Sequence, residues 1–307
     1  MRIIPVKSMN KRAGNPEDFV TLAENEYRYG ITDAALGIIE ANKDGEKPIV
    51  LITGPSGSGK TVTAHRLKAE LTKLGHTTHI ISMDNYFMPL PNGTDGVDLE
   101  SPDRVDAPLF REQTEKILKC EEITLPVFDF KRQDRDWGAT FKRGEGEIVI
   151  FEGIHMLNPV VSGCLAGHAN SVYVSVRTRL SGDVAGSKIT LHPSKIRLMR
   201  RFVRDKLYRG RSLLQTLEYF NNVQRGEKQY IAPYKKYAQF DIDTYVAYEP
   251  CVYKKHILSE LQQIKASGDN LTALLTMILE GLEDIADVFV PDDSLVREFI
   301  GGNTLME

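Results

Sequence analysis

A short run of glycine, lysine and hydroxyl residues has the composition of a phosphate-binding loop. Residues Gly54–Thr61, GPSGSGKT, fit the spacing G-x-x-x-x-G-K-[ST]. In this pattern the glycines turn backbone N–H groups toward an anion at a helix N-terminus, the lysine reaches the β- and γ-phosphates, and the threonine hydroxyl binds Mg²⁺. The pattern predicts Mg-ATP as cofactor. The predicted ATP-binding residues are Gly54, Pro55, Ser56, Gly57, Ser58, Gly59, Lys60, Thr61 and Val62.

Two carboxylates follow short apolar runs that read as strands. Asp84 closes the run in ISMDNYF, and Glu152 closes the run in IVIFEG. If the sheet is parallel, both lie at the same edge as the phosphate loop. We predict Asp84 as the general base and Glu152 as an acid of the magnesium shell, with Gly153 leaving space for a substrate or for the metal shell. For either acid alone, a capping or surface role is the alternative. The predicted metal-binding residues are Thr61, Glu152 and Asp84.

Residues Lys195–Arg211 are strongly basic, with eight basic residues and one acidic residue. Arginine outnumbers lysine six to two, and arginine suits bidentate phosphate contact. A solvated face and a nucleic-acid stripe are the alternatives, but no interleaved aromatic residues offer stacking surfaces. We predict a lid at about 195–212 that closes over ATP and supplies positive charge to the transferring phosphate. The arginines at helical spacing are Arg197, Arg201 and Arg204, and Arg209 and Arg211 flank a glycine.

The elements that must position these residues alternate between strand and helix from Ile49 onward. Such alternation predicts an α/β fold with a doubly wound parallel sheet. The predicted strands are Ile49–Thr53, His79–Met83, Ile148–Phe151 and Val172–Val176, and the predicted helices are Lys60–Leu74, Leu109–Leu118, Ile196–Tyr208 and Leu213–Gln229.

Composition and charge exclude several kinds of partner. The 307 residues carry a net charge of −3, so bulk electrostatics do not favour nucleic acid or an anionic membrane. No stretch approaches the ~18 consecutive apolar residues of a membrane span. Three scattered cysteines, Cys120, Cys164 and Cys251, indicate thiols in a reducing compartment. We expect a cytoplasmic protein with a small hydroxylated acceptor as partner, no nucleic acid and no membrane; self-association is left open.

Seven motifs in order resemble the uridine kinase and phosphoribulokinase family of P-loop kinases. The resemblance runs from about Ile49 to Tyr245, and the ending REFIGG at Arg297–Gly302 is similar to that of long bacterial members of the family. The motifs are GPSGSGKT, SMDNYF, DLESPDRVDAPLF at Asp98–Phe110, LPVFDF at Leu125–Phe130, VIFEGI at Val149–Ile154, RLMRRFVRDKLYRGRS at Arg197–Ser212 and PYKKYAQFDI at Pro233–Ile242.

The resemblance implies phosphorylation of the ribose 5′-hydroxyl of a nucleoside such as uridine or cytidine. It implies Asp84 as base, Thr61 and Glu152 around magnesium, and phosphate contacts from Arg204 and Arg209. With Lys60, these give the catalytic set Asp84, Lys60, Arg204 and Arg209. The family's nucleoside-contacting positions map to Glu100, Phe128, Gln133, Arg201, Arg211 and Tyr219, and Asp84 and Tyr86 complete the predicted substrate-binding set.

Four of these positions depart from the family pattern. Uridine kinases typically carry Asp at the position of Glu100, Tyr at Phe128, His at Gln133 and Gln at Tyr219. A site that hydrogen-bonds its substrate discriminates against analogues lacking the partner group. The alternatives are therefore a kinase of the same fold acting on another nucleoside, a sugar or a polyol, and a P-loop ATPase or nucleotide-sensing protein without a small acceptor.

Both ends of the chain predict helices. Residues 16–42 read as two short helices broken at Gly30, and Val252–Ala266 and Leu271–Val288 read as amphipathic helices separated by SGDN. We therefore predict an N-terminal helical appendage at 1–45, a P-loop kinase domain at 46–250 and a C-terminal helical extension at 251–307.

Overall fold

The computed structural model describes residues 2–90, 93, 96–184, 187–266 and 270–305. Short 3₁₀ turns lie at Met83–Tyr86, Pro102–Arg104, Gly163–Leu165, Ala232–Tyr237 and Asp287–Phe289, and a π turn spans Glu227–Ile231. In chain order the strands and helices are β1 (Ile3–Pro5), α1 (Val6–Ala13), α2 (Pro16–Ala41), β2 (Ile49–Thr53), α3 (Lys60–Lys73), β3 (Thr78–Ser82), α4 (Ala107–Leu118), β4 (Glu122–Asp129), β5 (Asp134–Lys142), β6 (Ile148–Glu152), α5 (Pro159–Ser162), β7 (Ala169–Ser175), β8 (Arg179–Val184), β9 (Ser187–Leu191), α6 (Pro193–Arg209), α7 (Leu213–Gly226), β10 (Phe240–Asp243), α8 (Glu249–Ala266), α9 (Asn270–Glu280) and α10 (Arg297–Ile300).

The centre of the molecule is a five-stranded sheet in the order β10-β7-β2-β6-β3, with every neighbouring pair parallel. All residues of β2 and β6 are buried, because strands in such a sheet are covered by helices on both faces. The predicted doubly wound parallel α/β fold is confirmed. The carboxyl ends of β2, β3 and β6 meet at one edge of the sheet, where ligands bind in this architecture.

The N-terminal helix α2 runs unbroken through Gly30, so the prediction of two short helices is wrong. A glycine inside a helix costs about 1 kcal/mol relative to alanine, and tertiary packing overrides that cost here. Gly37 brings the helix close to β10, since a Cβ at this position would stand 2.3 Å from the Phe240 ring. The buried face of α2 includes Ile31, Ala34, Ala35 and Ile38.

The second C-terminal helix, α9, ends at Glu280 rather than at the predicted Val288. One side chain bonds both sides of the break: Asn10 Nδ2 donates to the Gly281 carbonyl at 2.8 Å, and the Glu283 N–H donates to Asn10 Oδ1 at 2.9 Å. The chain then continues in turns until α10. Residues 267–269 of the predicted SGDN break lie outside the described residues.

Apolar side chains from both ends of the chain pack in the same core as the sheet. The boundaries near residues 45 and 250 therefore do not coincide with a break in packing, and the three-part division stays a prediction. The shared cluster includes Phe19 and Ile38 of α2, Val50 and Val172 of the sheet, Tyr253 of α8 and Phe299 of α10.

The strands β8 and β9 pair antiparallel, and β1 pairs in parallel with β8. This small sheet ties the N-terminus to the segment that precedes α6. Across the described ranges, no helix is both long and apolar enough to cross a membrane.

Candidate active site

The phosphate loop joins the end of β2 to the start of α3. Gly57 and Gly59 have φ angles of +75° and +84°, in the left-handed region that residues with a side chain avoid. Gly59 precedes the first turn of α3, whose N–H groups have no helical carbonyl to bond and favour an anion. The side chain of Val62 is buried in the core, so among the predicted ATP-binding residues this position offers only its backbone.

Three buried side chains donate hydrogen bonds to backbone carbonyl oxygens of the phosphate loop. Carbonyl oxygens bonded in this way do not face an anion in the cleft, which favours anion binding by N–H groups of the loop. Helical spacing grouped Arg197 with Arg201 and Arg204 on one face, but Arg197 anchors the loop and pairs with Glu227. The three anchoring bonds run from Arg197 Nη1 to the Ser56 carbonyl at 3.1 Å, from Arg200 Nη1 to the Gly57 carbonyl at 3.1 Å, and from Thr244 Oγ1 to the Ser58 carbonyl at 2.7 Å.

A cleft of about 250 Å³ opens in front of the loop, at the carboxyl edge of the sheet. The structure brings both strand-end carboxylates, the loop lysine and three arginines together there. The lining residues are Ser56, Gly57, Gly59, Lys60, Thr61, Asp84, Phe87, Leu99, Glu100, Glu152, Ile154, Arg201, Arg204, Arg209 and Glu298.

The Ser82 hydroxyl links the Glu152 carboxylate to the backbone of Asp84. Ser82, the last residue of β3, donates from Oγ to Glu152 Oε1 at 3.0 Å and accepts from the Asp84 N–H at 3.3 Å. Gly153 does not leave the predicted room for a substrate or the metal shell, because a Cβ there would stand 2.5 Å from Met83 Cβ. The glycine instead allows β6 to pack against the turn that carries Asp84.

The environment of Asp84 suits proton transfer near neutral pH. Burial raises its pKa to about 7, the negative charge of Glu152 adds to the rise, Lys60 opposes it, and Glu100 adds a smaller rise. A carboxylate of this pKa is ionised in a large fraction of molecules at neutral pH and is a stronger base than an ordinary aspartate. These neighbours therefore fit Asp84 to accept a proton from a hydroxyl.

The buried acid Asp205 lies next to arginines of the cleft. Asp205 accepts from Arg209 Nη1 at 3.2 Å and lies 3.8 Å from Arg201 Nη2. Burial lowers the pKa of Arg201 to about 10, against the opposing charge of Asp205, so the guanidinium stays cationic at neutral pH. Leu198 and Phe202 fix α6 in the core. The arginines of the same helix line the cleft, so α6 forms one of its walls. Closure of residues 195–212 as a lid stays a prediction.

Glu100 lines the cleft beside these arginines. Burial raises its pKa, while Arg201 and Lys60 oppose the rise. Its Oε2 has no hydrogen-bond partner within the described part of the chain. A buried carboxylate oxygen without a donor fits a hydroxyl of a bound acceptor.

The other predicted acceptor residues lie outside the lining. The prediction for Tyr86 is wrong: it is fully buried and donates its hydroxyl to Gln113 Oε1 at 2.9 Å. The positions of the others are as follows: Phe128 is buried and packs on the Phe130 ring at 5.2 Å, Gln133 sits in the β4–β5 turn and donates to the Phe130 carbonyl at 2.8 Å, and Arg211 stacks on the half-exposed ring of Tyr219 at 4.5 Å.

Sequence reasoning missed several residues of the site. Ser82 and Phe87 flank Asp84, and the neighbouring SMDNYF motif was the available signal. Glu298 comes from the REFIGG ending, a motif to which no chemistry was assigned. Leu99 and Ile154 add apolar walls beside predicted acids, and only the folded structure identifies them.

The donor set fits a magnesium–nucleotide complex. Magnesium is usually held by one or two carboxylates together with substrate phosphates and water. Thr61 supplies a hydroxyl and Glu152 a buried carboxylate in the same cleft as Lys60. Over the described residues, no group of three His, Cys, Asp or Glu side chains forms a protein-only metal site.

Comparisons with known proteins agree with this architecture. Residues 49–247 match the model of the phosphoribulokinase / uridine kinase family. The chain is 30% identical over 200 residues to a uridine kinase of Lactobacillus johnsonii and 31% identical over 202 residues to one of Borrelia duttonii, in each case 63% of this chain and 85% of the relative. A crystal structure of a candidate fructose transport system kinase from Silicibacter sp. superposes with a TM-score of 0.51 at 20% identity, over 69% of this chain and 97% of the other; this likeness concerns the fold.

Proposed function

This chain belongs to the phosphoribulokinase / uridine kinase family, and we propose that it transfers the γ-phosphate of Mg-ATP to the ribose 5′-hydroxyl of a nucleoside such as uridine or cytidine. The observation that carries the proposal is Asp84, a carboxylate with its pKa raised to about 7 that shares a cleft with Lys60 of the phosphate loop. An ATPase that activates only water does not need a general base such as Asp84 next to Glu100, whose buried carboxylate oxygen can bind an acceptor hydroxyl.

The residues of the cleft have different roles in phosphoryl transfer. Asp84 accepts the proton of the attacking hydroxyl. Lys60, Arg204 and Arg209 stabilise the charge that spreads over the transferring phosphate, as preorganised cations do. Thr61 and Glu152 would hold magnesium, which would supply positive charge to the nucleotide phosphates.

The acceptor end of the cleft is formed by Glu100 and Arg201. Glu100 can accept hydrogen bonds from a diol, and Arg201 donates from Nη1 to Ser56 Oγ of the loop at 2.6 Å. Gln133 and Tyr219 replace the family's usual residues and lie outside the lining. This observation favours a second candidate, a kinase of the same fold that phosphorylates a sugar, a polyol or a different nucleoside.

A panel of acceptors tests the proposal. Purified protein with Mg-ATP is offered uridine, cytidine, purine nucleosides, free sugars and polyols, and ADP release and phosphorylated product are both measured. We expect acceptor-dependent ADP release with a pyrimidine nucleoside and a 5′-monophosphate product. Release that requires a purine nucleoside, a sugar or a polyol selects the second candidate. ADP release at the same rate without any acceptor contradicts both kinase proposals.

A further inference from the structure

The segment that follows α9 reaches the cleft from the far end of the chain. Leu295 packs against the phosphate loop, where a Cβ at Gly59 would stand 2.5 Å from Leu295 Cδ1. Tyr208 of α6 donates its hydroxyl to the Ile300 carbonyl at 2.6 Å. The segment lies beyond residues 49–247, which the family model matches, so family membership assigns it no role.

Glu298 of α10 projects into the cleft with little exposure. Its side chain is 13% exposed, and Oε1 lies 3.8 Å from Arg204 Nη1. Its Oε2 has no hydrogen-bond partner in the described ranges. Burial raises the pKa of this carboxyl, while Arg204 and Lys60 oppose the rise. A charged side chain with an unpartnered buried oxygen is costly for folding alone.

The neighbouring residue Phe299 supports Arg204 from another side. Its ring centroid lies 5.9 Å from the Arg204 guanidinium carbon and 5.3 Å from that of Arg200. Phe299 is fully buried and packs edge-on against Tyr253 at 6.3 Å. Arg204 Nε has no hydrogen-bond partner among the residues described, so the aromatic ring and the carboxylate hold the guanidinium without occupying that donor.

We propose that the C-terminal segment 293–301 completes the active site, with Glu298 and Phe299 as positioning residues for Arg204. The inference rests on the proposed phosphoryl transfer, in which Arg204 contacts the transferring phosphate. A cation that stabilises a transition state must be oriented before the reaction begins. The 3.8 Å separation between Glu298 and Arg204 is too long for a hydrogen bond, so it orients the guanidinium and leaves its donors for phosphate oxygens.

The variant Glu298→Gln separates positioning from folding because it keeps the side-chain shape and removes the charge. We expect kcat to fall by about tenfold or more, since a misplaced catalytic group can cost on the order of a hundredfold. The affinity for an unreactive ATP analogue should rise by about threefold or more, because one negative charge that repels the phosphates is gone from the cleft. A purely structural role would instead lower kcat, analogue affinity and Tm together.

Two controls complete the experiment. Asp292→Asn removes an acid that immediately precedes the segment 293–301 and whose side chain is 76% exposed, and we expect kcat and affinity to stay unchanged. In an Arg204→Met background, Glu298→Gln should cause no further fall in kcat, because Glu298 acts through the missing arginine. If Glu298→Gln fails to fold, Glu298→Asp replaces it in the experiment. The shorter side chain keeps the charge but moves it away from Arg204, and we expect a lower kcat with unchanged affinity.

The affinity measurement does not need an acceptor, so failure of the proposed function and failure of this inference are distinguishable. Absence of any acceptor turnover would count against the nucleoside kinase proposal alone. Unchanged or weaker analogue binding in a folded Glu298→Gln protein would overturn the positioning role, as would an unchanged kcat or an equal fall in kcat in the Arg204→Met background.

Discussion

Replacing Asp84 with asparagine should make the protein less active and, at alkaline pH, more stable. Asn keeps the size of the side chain but cannot accept the proton. Loss of a general base typically lowers turnover by ~10²–10⁴-fold. Binding of ATP should change little, because Lys60 and the loop N–H groups remain. In the wild type, kcat/KM for the acceptor should rise as the pH passes about 7, the pKa of Asp84, and the variant should lose this rise.

The stability effect follows from the same pKa. Burial first, and then the charge of Glu152, raise the pKa of Asp84 from 3.8 to about 7. The folded state therefore binds more protons than the unfolded state between these two values, and wild-type stability falls as the pH rises through that interval. The upper limit of the loss is about 4 kcal/mol, and we expect about 1–4 kcal/mol because Asp84 is only partly buried.

Denaturant unfolding of ligand-free protein at pH 5 and pH 8 measures this effect. The free energy of unfolding of Asp84→Asn should exceed that of the wild type, with a larger difference at pH 8 than at pH 5. Asp44→Asn is the matched control, since Asp44 is exposed in the turn between α2 and β2; its turnover and stability should match the wild type. Unchanged turnover, or a stability difference that does not grow with pH, would refute the assignment of Asp84.

Three further substitutions test other parts of the cleft and of the buried residues that support it. Lys60→Ala should weaken ATP binding and turnover, as measured by calorimetry and ADP release; normal ATP turnover would contradict the loop assignment. Glu152→Gln should raise the half-saturating Mg²⁺ concentration by about tenfold and shift the acid limb of the pH profile to lower pH, since Glu152 helps to raise the pKa of Asp84; an unchanged magnesium titration would exclude the metal role. Arg200→Met should lower the free energy of unfolding by about 3–5 kcal/mol, because it leaves Glu249 buried and unpaired. Urea unfolding measures that loss, and Arg200→Met combined with Glu249→Gln should recover part of it; equal stability of the single variant and the wild type would show that the pair is not required.

The sequence was sufficient to predict the loop and its neighbouring acids because strand direction determines where they lie. Once β2, β3 and β6 are parallel, Lys60, Asp84 and Glu152 must meet at one edge. This inference needs only the apolar runs and the position of a carboxylate at the end of each. The inference does not depend on how any side chain packs, so the sequence alone is enough for it.

The residues that sequence reasoning misplaced depend on packing. Helical spacing grouped Arg197 with Arg201 and Arg204, but Arg197 bonds a carbonyl of the loop, as Arg200 does. Tyr86 and Phe87 are adjacent, yet the 3₁₀ turn sends the first into the core and the second to the cleft. The break predicted at Gly30 failed for the same reason, because contact with β10 outweighs the intrinsic preference of one glycine.

Charge balance explains why the cleft needs a contribution from the end of the chain. Its lining holds four cationic groups, at Lys60, Arg201, Arg204 and Arg209, and acids at Asp84, Glu100 and Glu152. Glu298 is the fourth acid and makes the formal charges equal. Clustered arginines repel one another and lose orientation unless carboxylates separate them. Asp205 orients Arg201 and Arg209. It lies 3.7 Å from Arg204 Nε but makes no hydrogen bond with that atom. Glu298 supplies the second charge next to Arg204, so the orientation of this arginine depends on a segment almost a hundred residues later in the sequence.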